Sequence, residues 1–286
     1  MKRSFWLVTL ILTLVFTVVA TAASPFEGNP KEEYYMVTFA SGIEYWKGCF
    51  AGMEDAAAQL GVKAIYTGAP LSDVNQQVTV LEQVIAKRPA GIAVTCSNPD
   101  GLRATIDRAI EAGIPVVTFD ADSPLSKRYC YLGTGNYNAG AMAARYLAEL
   151  IGGKGEVAVS TVTGQLNHEE RKTGFVETLA REYPNVKVVS VGNDNNDQTR
   201  AAVLVSGFLQ AYPNLKGVFC TDALGGVGAA TAVREANKVG KVRIVSFDTD
   251  KGTLDLIKEG IIDASIAQGT WNMGYWSMMM LYSVRH

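Results

Sequence analysis

Three short apolar runs in this chain stop abruptly at acids: PVVTFDAD at 115–122, VFCTD at 218–222 and IVSFD at 244–248. An apolar run of this length bounded by polar residues reads as a buried strand. In an open α/β sheet, ligands sit just beyond the carboxyl ends of such strands. Asp120, Asp222 and Asp248 therefore stand where carboxylates can converge on one small polar ligand, each accepting from two hydroxyls. A strand-end aspartate can equally cap the next helix or close a turn. Asp222, just ahead of Gly225 and Gly226, carries both readings. Asp122, followed by Ser123 and Pro124, reads as a turn residue.

Enzyme chemistry finds little purchase. The chain holds no G-x-S-x-G elbow and no P-loop. Its two histidines are His168 and the last residue, His286, so a Ser-His-Asp triad is hard to assemble. LGGVG at 224–228 follows a strand and opens a helix, as a dinucleotide site does, but the G-x-G-x-x-G frame from Gly226 puts Thr231 at the third glycine. These glycines fit close helix–sheet packing instead. Cys49, Cys96, Cys130 and Cys220 show neither C-x-x-C spacing nor a Cys/His cluster, so no metal site is predicted. They read as small buried side chains; export would permit a disulfide, but the sequence does not choose a pair. A nicotinamide-dependent oxidoreductase is the enzyme alternative; the expectation is no enzyme, no cofactor and no catalytic residue.

At 286 residues the chain suits two domains of ordinary size. Its formal charge of −2 and the lack of a basic stripe exclude a typical nucleic-acid binder. Residues 1–23 read as a cleavable export signal: Lys2 and Arg3 form the basic start, 5–19 the apolar core, and Ala20-Thr21-Ala22 the small-residue cleavage site. An uncleaved membrane anchor is the competing reading.

The elements that must position the acids follow from periodicity. Strands are expected at 34–40, 62–66, 91–95 and 116–119, with helices at 44–60, 74–86 and 99–112 between them. A short strand at 129–132 and a glycine turn at 133–136 lead into a second alternation. Its helices are expected at 139–151, 170–183, 200–212, 226–236 and 252–259, and its strands at 156–161, 186–191, 217–220, 243–247 and 264–267. A last helix covers 273–284. Continuous apolar strands alternating with helices predict parallel sheets covered on both faces. The fold class is α/β: two similar doubly wound lobes joined by a tight hinge, without a residue-level repeat.

On these elements the residues resemble a known family. Tyr45-Trp46 open the first helix and Phe119-Asp120 close a strand. N-x-E-x-R-x-x-x-F runs from Asn167 to Phe175, and Thr221-Asp222 precede a Gly/Ala-rich helix start. Phe247-Asp248 and Ile266-Ala267-Gln268 close later strands. Order and spacing together resemble the ribose- and galactose-type sugar-binding proteins of bacterial ABC transporters, with the type I periplasmic binding protein fold. The resemblance spans about residues 34–268. It implies a monomeric, exported, periplasmic receptor that closes on a monosaccharide or sugar alcohol and docks on a membrane permease. A role in chemotaxis signalling is the alternative within the same class. It also implies the ligand set Tyr45, Trp46, Asp120, Arg171, Asp222, Asp248 and Gln268, and lobes at 30–134 plus 269–286 and at 135–268.

A sugar offers hydroxyls around an apolar face of C–H groups, so charged partners for the hydroxyls and an aromatic plane suit it. Trp46 shares a helix face with Phe50 and Met53 and can be core; Tyr45, off that face, is the expected stacking ring. Asn167 and His168 are expected to flank the site beside Arg171, His168 as a polar loop residue rather than a catalyst. Three departures stand out. Ala121 follows Asp120 where the ribose-type pattern has arginine, which is expected to widen the cleft on the first-lobe side. Asn196 replaces an aromatic. The chain stops at His286, where the family normally continues, so a C-terminal part is expected to be missing or a hinge crossing lost.

Overall fold

The computed structural model describes residues 28–286; the expected export signal lies outside the described residues. The first alternation is β1 (Glu33–Thr38), α1 (Tyr45–Leu60), β2 (Lys63–Gly68), α2 (Val74–Ala86), β3 (Gly91–Val94), α3 (Pro99–Glu111), β4 (Val116–Phe119) and β5 (Tyr131–Leu132). The second is α4 (Asn136–Leu150), β6 (Gly155–Thr161), α5 (Leu166–Glu182), β7 (Val186–Asn193), α6 (Gln198–Ala211), β8 (Leu215–Cys220), α7 (Ala223–Glu235), β9 (Arg243–Phe247), α8 (Lys251–Lys258) and β10 (Ala264–Ile266). A final helix, α9 (Thr270–Arg285), follows.

The strands form two five-stranded sheets, β2-β1-β3-β4-β5 and β7-β6-β8-β9-β10, and the pairings are parallel. The order is the same in both lobes. In each, the strand order reverses between the first and third strands, where loops leave toward opposite faces and open a crevice. The central strands are apolar on both faces because helices cover both: β3 and β4 are fully buried, as are Val157 and Val159 of β6.

Among the described residues the chain crosses between the sheets twice, at 133–135 and at 267–269. After the second crossing α9 returns to the first lobe. Its Met273, Met278, Leu281 and Tyr282 share a core with Tyr34, Met36, Trp46 and Phe119. In the second lobe α4 plays the same part, with Ala143, Ala144 and Leu147 against Val157, Phe219 and Phe247. Both helices enter with the same signature, GNYNAG at 135–140 and GTWNMG at 269–274. That is a residue-level repeat the sequence reading did not find. Its purpose is a close helix crossing: a Cβ on Gly274 would lie 1.6 Å from the Cys49 carbonyl oxygen, and one on Gly140 would lie 1.9 Å from that of Arg171. The second contact seats the backbone of a central site residue.

Five helices begin two to four residues earlier than periodicity predicts: α4 at 136, α5 at 166, α6 at 198, α7 at 223 and α9 at 270. In α4 to α7 the missed turns carry Asn136, Asn167, His168, Gln198 and Ala223. Polar and small residues give no apolar period there because those turns face the crevice rather than the core. Away from the crevice, boundaries follow ordinary capping. Asn98 Oδ1 accepts the Gly101 N–H at 2.8 Å and starts α3. Asn98→Ala is expected to cost about 1 kcal/mol in denaturant unfolding, with ligand affinity unchanged because α3 is remote from the crevice.

Candidate functional site between the lobes

One cavity of about 340 Å³ lies between the lobes at the carboxyl ends of the strands. Tyr45, Trp46, Asp120, Arg171, Asp222, Asp248 and Gln268 all line it. The expected ligand set is therefore brought together in one place, though its members do different jobs.

Arg171 is the centre. It is 1% exposed. Nε donates to Asn136 Oδ1 (2.9 Å), Nη1 to the Thr221 carbonyl (2.8 Å) and Nη2 to Gln268 Oε1 (2.7 Å). Its guanidinium carbon lies 4.1 Å from the Phe247 ring centroid, a cation–π contact in a desolvated setting. A guanidinium has five donors, so two N–H groups remain after these three bonds.

Asp120 and Asp248 hold matching positions, each directly after the fourth strand of its lobe, and both have positive φ, 59° and 70°. Non-glycine residues adopt that conformation at a cost and it clusters at functional sites. The backbone is pinned alike in both lobes. The Asp120 N–H donates to the Leu132 carbonyl (3.1 Å) and its own carbonyl accepts from Tyr131 Oη (2.6 Å). The Asp248 N–H donates to Ile266 (2.9 Å) and its carbonyl accepts from Ser265 Oγ (2.6 Å). Tyr45 Oη donates to Asp120 Oδ1 at 2.8 Å, and Gln268 Nε2 to Asp248 Oδ1 at 2.7 Å.

Asp222 is the helix cap that one sequence reading expects, and its second oxygen is left without a protein partner: Oδ1 accepts the Gly225 N–H at 2.8 Å and caps α7, while Oδ2 is buried. The capping side chain occupies an α7 N-terminal N–H group that a pyrophosphate would need, which disfavours the dinucleotide reading. Gly226 packs against the Ser246 side chain, as the packing reading of these glycines expects.

Trp46 is mainly core. It is 2% exposed, its Nε1 donates to the Phe39 carbonyl (2.9 Å), and its ring meets Phe39, Tyr45 and Phe119 edge-on. Gln268 is a link between the crossings: Oε1 also accepts from Thr134 Oγ1 at 2.7 Å, tying 133–135 to 267–269. Ala121 is fully buried, and its N–H donates to the Phe119 carbonyl. Asp122 is the turn residue expected, paired with Arg128 at 2.5 Å.

Two residues that the sequence reading set at the margin belong in the site. His168 is helical and buried, not in a loop; Nδ1 meets Thr221 Oγ1 at 2.9 Å. Burial and the nearby Arg171 charge push its pKa well down, so the ring is neutral. Asn167 is 4% exposed and its Oδ1 is buried without a protein partner. The signal for both was the N-x-E-x-R spacing, which sets Asn167 and Arg171 four residues apart on one helix face.

Burial raises all three strand-end acids. Arg171 opposes the shift at Asp120 and at Asp248, which reaches about 6. At Asp222 the Asp194 charge adds to burial and the carboxyl reaches about 8. A raised carboxyl is stabilising to the fold while protonated, and that contribution is lost as pH rises through the folded value. The ligand-free protein is accordingly expected to melt several degrees lower at pH 8.5 than at pH 5, by scanning calorimetry across that window. A flat profile would contradict these shifts.

The cavity, its hinge and its paired acids invite comparison with known proteins. Residues 34–285 match the periplasmic binding protein domain. The chain belongs to the periplasmic binding protein family. This periplasmic binding protein is 53% identical to AraP, an arabinose-binding protein from Geobacillus stearothermophilus, over 90% of this chain and 88% of that one, with a TM-score of 0.81. It is 52% identical to the sugar-binding protein of a sugar ABC transporter from Bacillus halodurans, over 89% of this chain and 88% of that one, with a TM-score of 0.85. A ribose import binding protein from Bacillus subtilis is 25% identical over 91% of this chain and 87% of its own length. These relatives are binding proteins, and the type I fold expected from sequence is the observed one.

Proposed function

We propose that this protein captures a monosaccharide between its lobes and hands it to the membrane permease of an ABC transporter, with aldopentoses, arabinose first, as the leading candidates. The observation that carries this reading is a cavity between the lobes walled by charged and polar side chains, two of which, Asp222 and Asn167, hold a buried acceptor oxygen, Oδ2 and Oδ1, without a protein partner. A buried acceptor left unmade is costly, and the hydroxyls of a neutral sugar are the donors that would satisfy both. The two spare N–H groups of Arg171 supply the complementary donors. The Tyr45 and Trp46 rings supply apolar wall for the C–H face. The similarity to an arabinose-binding protein supports the pentose choice. An exported, monomeric receptor fits the apolar leader at 5–19.

Capture proceeds by hinge closure of lobes at 30–134 plus 269–286 and at 135–268. Both crossings are short and flanked by Gly133, Gly135 and Gly269, and the Thr134–Gln268 bond lets them move together. Gln268 also touches Arg171 and Asp248, so a sugar seated on those two groups reports directly to the hinge. A thermal-shift panel of pentoses, hexoses and polyols tests the reading. Several degrees of stabilisation are expected with L-arabinose at millimolar concentration, since a ligand binding only the folded state raises the melting temperature. A panel in which no sugar or polyol shifts the transition would contradict it.

A further inference from the structure

Behind the second-lobe wall lies a carboxylate that does not reach the cavity. Asp194 directly follows β7 and is fully buried. Oδ2 accepts from Ser160 Oγ at 2.5 Å, and Oδ1 accepts the Asn196 N–H at 2.9 Å. The Oδ2 atoms of Asp194 and Asp222 stand 3.0 and 3.1 Å from the point where a Cβ on Gly225 would sit. The two carboxylates therefore flank one glycine and lie within about 6 Å of each other, close enough for either charge to disfavour the other. The gap exists because residue 225 has no side chain.

Countercharge around the pair is thin. Asp222 faces the α7 N-terminus, Arg171 of α5, and Asp248 beyond β9, with Cys220 at its back. Asp194 faces Ser160 of β6, and Arg200 and Asp197 of α6 and its cap. His168, the other titratable neighbour of the Thr221 turn, is neutral. Among the described residues neither carboxylate makes an ion pair, and Asp222 Oδ2 has no partner at all.

We propose that Asp194 is a positioning residue for capture: it and Asp222 share one proton in the empty cleft, and a ligand hydroxyl donated to Asp222 Oδ2 takes that proton's place. The displaced proton leaves to buffer, while the sugar hydroxyl keeps its own and donates it as a hydrogen bond to the newly ionised carboxylate. This rests on the reading of the cleft as a sugar site. Burial raises both acids, and the Asp194 charge raises Asp222 further, which agrees with a proton held near neutral pH. The consequence is a cleft that spares the empty protein one buried charge and binds its sugar more tightly as pH rises from 6 to 8.

The test has two arms on the full chain. Infrared spectroscopy of the sugar-free protein at pH 7.5 is expected to show a protonated-carboxyl band that both Asp194→Asn and Asp222→Asn remove. L-arabinose titrations in two buffers of different ionisation enthalpy are expected to show close to one proton released per sugar bound. In Asp194→Asn release falls toward zero and affinity no longer varies between pH 6 and 8. A wild-type protein without the band, or a band undiminished in Asp194→Asn, would overturn the shared proton. Binding without proton release would overturn its displacement. No heat with arabinose alongside an intact band would instead count against arabinose as the ligand; in that case arabinose is replaced by whichever sugar stabilises the protein in the thermal-shift panel.

Discussion

Arg171→Met is expected to abolish sugar binding and to destabilise the protein by about 3–5 kcal/mol, the usual cost of removing one partner from a buried charge network. The side chain is buried, makes three hydrogen bonds and lies over Phe247. It is also the cation that Asp120, Asp222 and Asp248 all feel. Methionine fills the volume but leaves Asn136 Oδ1 and the Thr221 carbonyl without their donor. From sequence alone, an Arg171 variant is expected to lose binding and stay folded. The geometry adds a stability loss, because the same guanidinium ties α4 to α5, the Thr221 turn and the second crossing. Denaturant unfolding and calorimetry on one sample separate the two effects. A variant that binds normally, or loses binding with no change in stability, would contradict this role.

Asp120→Asn is expected to act in the opposite sense on stability. Affinity should fall about 100-fold, roughly 2–3 kcal/mol, as a charged acceptor becomes a neutral one. Stability should hold or rise. Asp120 is buried, its carboxyl is raised, and no ion pair reaches it among the described residues, so removing the charge relieves desolvation. Asparagine also tolerates the positive φ that alanine would not, which makes it the cleaner probe. The amide oxygen can still accept from Tyr45 Oη. A loss of affinity with a gain in melting temperature is the signature of a site residue held against the fold's own preference.

Much of this was legible in the chain because strand-end acids sit where the topology must place them. Asp120, Asp222 and Asp248 follow short apolar runs, and a parallel sheet puts the ends of such runs at one edge. The apolar face of α1 was equally plain. The first turns of α4, α5, α6 and α7 were not, since residues facing a polar crevice carry no apolar period. That is why His168 read as a loop residue and why Asn167 stood at the margin. Which Asp222 oxygen caps α7 and which is left without a protein partner was out of reach as well, because that depends on where the helix begins.

The most direct test of the central claim is a crystal structure of the protein grown with L-arabinose, or with whichever sugar stabilises it most. The predicted result is one sugar between the lobes, with hydroxyls within hydrogen-bond distance of Asp222 Oδ2 and Asn167 Oδ1, and Arg171 donating its two remaining N–H groups. A sugar bound elsewhere, or one in the cavity that leaves both acceptors unpartnered, would contradict it.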